Sequence, residues 1–139
     1  MSRPAGETGN VRALHQIRVL VVGNDPSFVK VVGFLFRRQG FAVAATRRPS
    51  QALELVVRHR ANVVVLDASD SLASAARLAA AIEALHPTVG IVAVAQAGAS
   101  TRMASFNMFA KWDFAPLVEE VERLYLKSRE EKEVHLGAR

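Results

Sequence analysis

Short apolar runs alternate along the chain with longer stretches in which apolar residues recur at helical spacing. The apolar runs are nearly continuous and rich in β-branched residues, a pattern typical of parallel strands buried on both faces. The longer stretches carry apolar residues on one side only, which is typical of amphipathic helices. The pattern predicts strands at residues 17–22, 41–46, 62–67, 89–95 and 108–110. It predicts helices at residues 27–39, 49–60, 72–86 and 115–133, and a short helical piece around residues 101–105.

This fivefold alternation of strand and helix predicts an α/β domain. Right-handed crossovers would place the strands in one five-stranded, doubly wound parallel sheet with helices on both faces. The fourth helix should be shortened, because few residues separate the fourth and fifth strands. In such sheets function is found at the carboxyl ends of the strands. The residues expected at that edge are Gly23, Asn24, Asp25, Asp67, Ala95, Gln96 and Lys111.

The composition of the 139 residues predicts a single globular domain. We expect a flexible leader at residues 1–16, the domain at 17–126, and a charged helical extension and tail at 127–139. No apolar run reaches the roughly 20 residues of a membrane-spanning helix, and no signal peptide is visible, so the sequence favours a cytoplasmic protein. The absence of cysteine excludes disulfides and thiolate metal sites.

The net charge of +5 raises the question of nucleic-acid binding. Most of the early excess comes from arginines, and no aromatic residues alternate with them as a single-strand binding surface would require. We therefore interpret them as surface residues and do not expect nucleic-acid binding, which stays open as an alternative. The arginines concerned are Arg37, Arg38, Arg47, Arg48, Arg58 and Arg60.

Three motifs on this pattern resemble the receiver domain of two-component response regulators. They are "VLVVGNDP" at the first strand, "VVVLD" ending at Asp67, and Lys111 after the fifth strand, and the resemblance covers residues 17–125. It implies a flavodoxin-like fold in which a histidine kinase phosphorylates the aspartate that matches Asp67. In that family, acidic residues after the first strand help to hold Mg²⁺, and the lysine pairs with the phosphoryl group.

The remaining positions depart from the family pattern. Gly23 and Asn24 replace the acidic pair, and Ala95 stands where the family has a hydroxyl. Met108 replaces the aromatic residue of the fifth strand. Asp25 lies one place beyond the acidic pair, where it is well placed to cap the following helix.

These departures lead us to expect no bound metal, no cofactor and no enzymatic activity. Asp25 and Asp67 are weak candidates for metal ligands, and Mg²⁺ is implied only if Asp67 still accepts a phosphoryl group. The competing interpretation of Asp67 is a structural carboxylate paired with Lys111, since a buried carboxylate needs a cation or several donors.

The sequence therefore predicts a pseudo-receiver, a phosphorylation-independent interaction module in bacterial signal transduction. A working phosphoacceptor and a basic nucleic-acid-associated protein are the alternatives. The expected partner is another signalling protein or a second copy of the chain, bound through the fifth strand and the last helix. Met108, Trp112 and Tyr125 are the candidate contact residues, because aromatic side chains often anchor interfaces.

Overall fold

The computed structural model describes residues 16–96, 102–103 and 106–137. The strands are β1 (Arg18–Val22), β2 (Ala42–Thr46), β3 (Val63–Asp67), β4 (Gly90–Ala95), β5 (Arg102–Met103) and β6 (Phe106–Ala110). The helices are α1 (Pro26–Arg38), α2 (Ala52–His59), α3 (Leu72–Leu85) and α4 (Phe114–Gly137). A short 3₁₀ turn, Pro49–Gln51, leads into α2.

The strands form one sheet in the order β2-β1-β3-β4-β6-β5. The pairings among β2, β1, β3, β4 and β6 are all parallel, which confirms the predicted five-stranded parallel sheet. The short β5 adds an antiparallel edge beside β6. The prediction of a helical piece around residues 101–105 is wrong at Arg102 and Met103, which pair with β6 instead. The rest of that shortened-helix segment lies outside the described residues.

Two helices cover each face of the sheet, so the core consists of two layers. Residues Val19 and Val21 of β1 face one layer, which they share with α1 and α4. Leu20 and Val22 face the other layer, with α2 and α3. Because successive strand residues point to opposite faces, a strand covered on both sides must be apolar at every position.

Local capping fixes where the helices begin and end. The Asp25 carboxylate caps α1 by accepting hydrogen bonds from the backbone N–H groups of Ser27 (3.0 Å) and Phe28 (3.3 Å). Pro26 then occupies the first turn, where its missing N–H is tolerated. Helix α2 ends at His59, and the residue that follows it, Arg60, adopts a left-handed conformation with φ of 55°. The first of these caps places Asp25 beside the carboxyl edge of the sheet.

Helix α4 runs without interruption through the position at which we predicted a charged extension to begin. Ser128 is buried there, and its hydroxyl donates a 2.6 Å hydrogen bond to the carbonyl of Thr88. Position 128 of α4 is therefore anchored to the loop before β4. Within the described part of the chain, no helix is both long enough and apolar enough to cross a membrane.

Candidate functional site

An ion-pair cluster forms at the carboxyl edge of the sheet. Asp67 is the last residue of β3, Lys111 directly follows β6, and Asp25 precedes α1. The Lys111 Nζ lies 2.8 Å from Asp25 Oδ2 and 2.9 Å from Asp67 Oδ2. The structure thus brings together three of the residues that the sequence placed at this edge, with the ammonium between two carboxylates.

The centre of this cluster is withdrawn from solvent. The side chains of Lys111 and Asp67 are each 4% exposed, whereas that of Asp25 is 34% exposed. Asp67 Oδ1 accepts a hydrogen bond from the Ser69 backbone N–H at 3.0 Å. The rings of Phe28 and Trp112 lie near the ammonium, with centroids 5.4 and 5.9 Å from Nζ. Both carboxylates and both ring contacts favour the charged form of Lys111.

The titration behaviour of the cluster follows from these contacts. Burial is the largest single influence and acts to lower the pKa of Lys111, but the hydrogen bonds to Asp25 and Asp67 and the attraction of both negative charges together raise that pKa. The hydrogen bond from Lys111 is the main cause that lowers the pKa of Asp25. The bonds from the backbone N–H groups of Phe28 and Ser27 lower it further. Lys111 and Asp25 are therefore both charged at neutral pH.

The two residues that replace the acidic pair contribute no carboxylate to the site. Gly23 is buried, and its backbone N–H donates to the Thr46 carbonyl at 3.0 Å. A Cβ added at Gly23 would lie only 3.0 Å from the Cβ of Asp67, so a side chain there requires Asp67 to shift. Asn24 is exposed, and its Oδ1 accepts hydrogen bonds from Nε and Nη2 of Arg47, both at 3.3 Å.

The positions expected to transmit a signal have different environments. Ala95 is buried at the end of β4, and its carbonyl accepts a 2.6 Å hydrogen bond from the Lys111 backbone N–H. Met108 is only 4% exposed and packs in the α2 and α3 layer. Met108 does not contribute to the exposed surface of this chain, because β6 turns its side chain toward the core. Trp112 is 49% exposed, and Tyr125 is partly buried against the α1 and α4 layer.

These side chains do not suit a magnesium ion. Mg²⁺ requires near-octahedral oxygen ligation, usually from carboxylates and waters. Asp25 and Asp67 each direct an oxygen at the same ammonium, and the Asn24 oxygen is used by Arg47. Among the described residues, no group of three or more histidine, cysteine, aspartate or glutamate side chains could hold a metal ion.

Several features of the site were missed by sequence reasoning. Asp25 was expected to cap the helix and was a weak candidate for a metal ligand, but its ion pair with Lys111 was not foreseen. Arg47 was treated only as surface charge, although it contacts Asn24 and lines a pocket of about 310 Å³ beside Asp67. Trp112 packs edge-on against Phe28, with ring centroids 5.6 Å apart. The position of Trp112 directly after the site lysine was a signal that could have suggested this aromatic contact.

No protein-family model and no curated protein matches this sequence. The fold, however, matches solved structures. NtrX from Brucella abortus in complex with ADP superposes with a TM-score of 0.72 at 18% identity, over 86% of this chain and 28% of that chain. The signal receiver domain of an HD domain-containing protein from Pseudomonas fluorescens gives 0.72 at 16% identity, over 86% and 93% of the two chains.

A third match is the response regulator protein TrrA from Thermotoga maritima in complex with Mg²⁺-BeF, with a TM-score of 0.67 at 18% identity. That match covers 78% of this chain and 99% of TrrA. TrrA and the receiver domain from Pseudomonas fluorescens are thus covered almost completely, whereas only a small part of NtrX is covered. The chain has the fold of the receiver domains of response regulators.

Proposed function

We propose that this chain is a receiver-fold interaction module of signal transduction that works without phosphorylation of Asp67. One observation carries the proposal: the Lys111 ammonium binds both carboxylates of the site at 2.8 and 2.9 Å, while Gly23 and Asn24 add no further carboxylate. The ion pair explains the buried charge of Asp67 as a structural feature. A buried carboxylate is retained in a fold when a cation compensates it.

The chemistry of phosphoryl transfer supports the same conclusion. Negative charge builds on the transferring oxygens, and Mg²⁺ normally offsets it. Among the residues that the structure describes, the side chains around Asp67 do not offer the set of oxygen ligands that Mg²⁺ prefers. At the readout positions, Ala95 has no hydroxyl to bond a phosphoryl oxygen, and Met108 lies buried in the core. A partner would therefore have to recognise a surface that does not change with phosphorylation.

The candidate surface for that partner lies where β6 leads into α4. Trp112 is half-exposed there and is held by the rings of Phe28 and Phe114, at centroid distances of 5.6 and 6.0 Å. A rigid, partly exposed tryptophan is a common anchor of protein interfaces. Tyr125 lies further along α4, partly buried. The partner is another signalling protein or a second copy of this chain.

The direct test is intact-mass measurement after incubation with acetyl phosphate and Mg²⁺. We expect the mass to stay unchanged and the fluorescence of Trp112, which lies close to Lys111, to stay constant during the incubation. The Asp67→Asn variant serves as the control. A gain of one phosphoryl group by the wild type that this variant does not show would establish the alternative, a working phosphoacceptor.

The nucleic-acid alternative is not favoured by the distribution of the arginines. Arg37 and Arg38 lie on α1, which covers one face of the sheet. Arg58 and Arg60 lie on and directly after α2, which covers the opposite face. The sequence clusters are thus divided between two sides of the domain and do not form one basic surface. Salt-dependent binding to nonspecific DNA would be the observation that revives this alternative.

A further inference from the structure

Helix α1 presents an apolar and basic outer face. Phe34 is 57% exposed, Val31 is also exposed, and the Arg38 guanidinium lies 5.8 Å from the centroid of the Phe34 ring. Lys30 and Arg37 are exposed beside them. Residues 26–48 contain no aspartate or glutamate. The outer face of α1 therefore combines apolar side chains with positive charge that no acidic residue of the same segment offsets.

Helix α4 presents the complementary combination. Leu126 is 58% exposed. Glu119, Glu122 and Glu130 are also exposed. Together with Leu126 they follow one another at spacings of three or four residues, so all four side chains share one side of the helix. The result is a row of carboxylates with a large apolar side chain in its middle, bordered by the exposed cations Arg123, which pairs with Glu120, and Lys127.

The two helices lie on the same face of the sheet. Phe28 and Phe36 of α1 share one buried cluster with Leu117 and Val121 of α4. Because both inner faces contact this cluster, both outer faces point away from the sheet. Near the end of α1, Leu126 and Glu122 also line a groove of about 320 Å³, together with Gln39, Gly40 and Phe41. We refer to the exposed sides of these helices together as the α1–α4 face.

Among the described residues, the opposite charges of the α1–α4 face do not pair with one another within one copy. In the part of the chain that the structure describes, no ion pair joins the cations Lys30, Arg37 and Arg38 to the carboxylates Glu119, Glu122 and Glu130. Their charges remain available to a partner, as do the exposed apolar side chains Val31 and Phe34 of α1 and Leu126 of α4. Contiguous exposed apolar side chains rimmed by charge are typical of interaction sites.

We propose that the α1–α4 face binds the same face of a second copy, with α1 of each copy against α4 of the other. A twofold axis makes both contacts equivalent, which is the usual form of a homodimer interface. Phe34 and Val31 would then meet Leu126, and the arginines of α1 would meet the glutamates of α4. Trp112, in contact with Phe28 of α1, lies at one end of this face. The inference rests on the proposed function in one respect: the dimer is expected to form without phosphorylation of Asp67.

Charge reversal with rescue tests the pairing of α1 with α4. Sedimentation velocity without phosphodonor should show a dimer for the wild type and monomers for R37E/R38E and for E119K/E122K. Each variant alone sets like charges against each other at both contacts. Their equimolar mixture should restore the dimer, because reversed α1 then meets reversed α4 and wild-type α1 meets wild-type α4. A variant that failed to fold would not be rescued.

A matched control changes the net charge by the same amount on the other face of the sheet. R58E/R77E alters α2 and α3 and should leave the dimer intact. The proposal is overturned if the wild type is a monomer both with and without phosphodonor, if R37E/R38E remains dimeric, or if mixing fails to restore association. Dimerisation that appears only with phosphodonor, and not in the Asp67→Asn variant, would instead refute the proposed function. In that case the charge-reversal variants and their mixture, measured with phosphodonor present, would still show whether the dimer forms through the α1–α4 face.

Discussion

Replacement of Lys111 by methionine tests the central ion-pair cluster. The change removes the ammonium that lies 2.9 Å from the Asp67 carboxylate but keeps a long, flexible side chain of similar reach. Methionine fits well beside aromatic rings, so its contacts with Phe28 and Trp112 should survive. The main loss is therefore the charge that compensates Asp67.

The expected cost follows from burial. Removal of one partner from a buried ion pair costs about 3–5 kcal/mol, because the remaining charge is left uncompensated. The Asp67 side chain is 4% exposed but keeps its hydrogen bond from the Ser69 backbone N–H. We therefore expect a loss near the lower limit, about 3 kcal/mol, which lowers the Tm of a domain this size by about 10 °C.

Urea unfolding followed by circular dichroism and by Trp112 fluorescence measures this loss. The matched variants are Asp67→Asn and the double variant D67N/K111M. The double variant removes the buried carboxylate together with its cation, so it should be more stable than K111M alone.

Two results would refute this reasoning. One is a decrease in the free energy of unfolding of K111M below about 1 kcal/mol, which would mean that the buried Asp67 carboxylate does not need the ammonium to compensate its charge. The other is a double variant no more stable than K111M, which would assign the cost to lost packing of the lysine chain.

Three further predictions concern single positions. The stability contributed by the lowered pKa of Asp25 is complete above its unfolded pKa of about 3.9 and is lost as the pH falls through the folded value. Thermal melts below pH 4 should therefore be less pH-dependent in Asp25→Asn, which keeps a capping side chain. Gly23→Ala places its Cβ 3.0 Å from the Asp67 Cβ and should cost about 1–2 kcal/mol in urea unfolding; an unchanged midpoint contradicts this. Arg60 adopts a left-handed φ of 55°, which glycine adopts without strain, so Arg60→Gly should raise the free energy of unfolding by about 0.5–1 kcal/mol in the same assay. A lower free energy of unfolding would show that the Arg60 side chain makes a compensating contact.

Much of the fold could be predicted from the sequence because its signals are local. Continuous β-branched runs such as that of β3 indicate strands covered on both sides, and amphipathic spacing indicates the helices that cover them. The crossover rule then aligns the carboxyl ends of the strands. That rule is sufficient to place Asp67 and Lys111 at one edge of the sheet without any knowledge of their side-chain contacts.

Contacts between distant segments could not be predicted in this way. One oxygen of Asp25 caps α1, and this contact is local in the sequence. The other oxygen binds Lys111, and this contact depends on how α1 lies against the end of β6. The Arg47 contact with Asn24 likewise joins the loops that follow β2 and β1. Only the assembled sheet sets these separations.

Side-chain direction at the sheet edge was also decided by the tertiary structure. Alternation along β6 requires neighbouring residues to point to opposite faces, but it does not say which surroundings each face has. Met108 therefore lies in the α2 and α3 layer. Trp112, beyond the strand, is left half-exposed by its packing on Phe28. Sequence pattern determines which residues share an element, whereas the packing of elements determines which of them reach the core, the ion-pair cluster or the solvent.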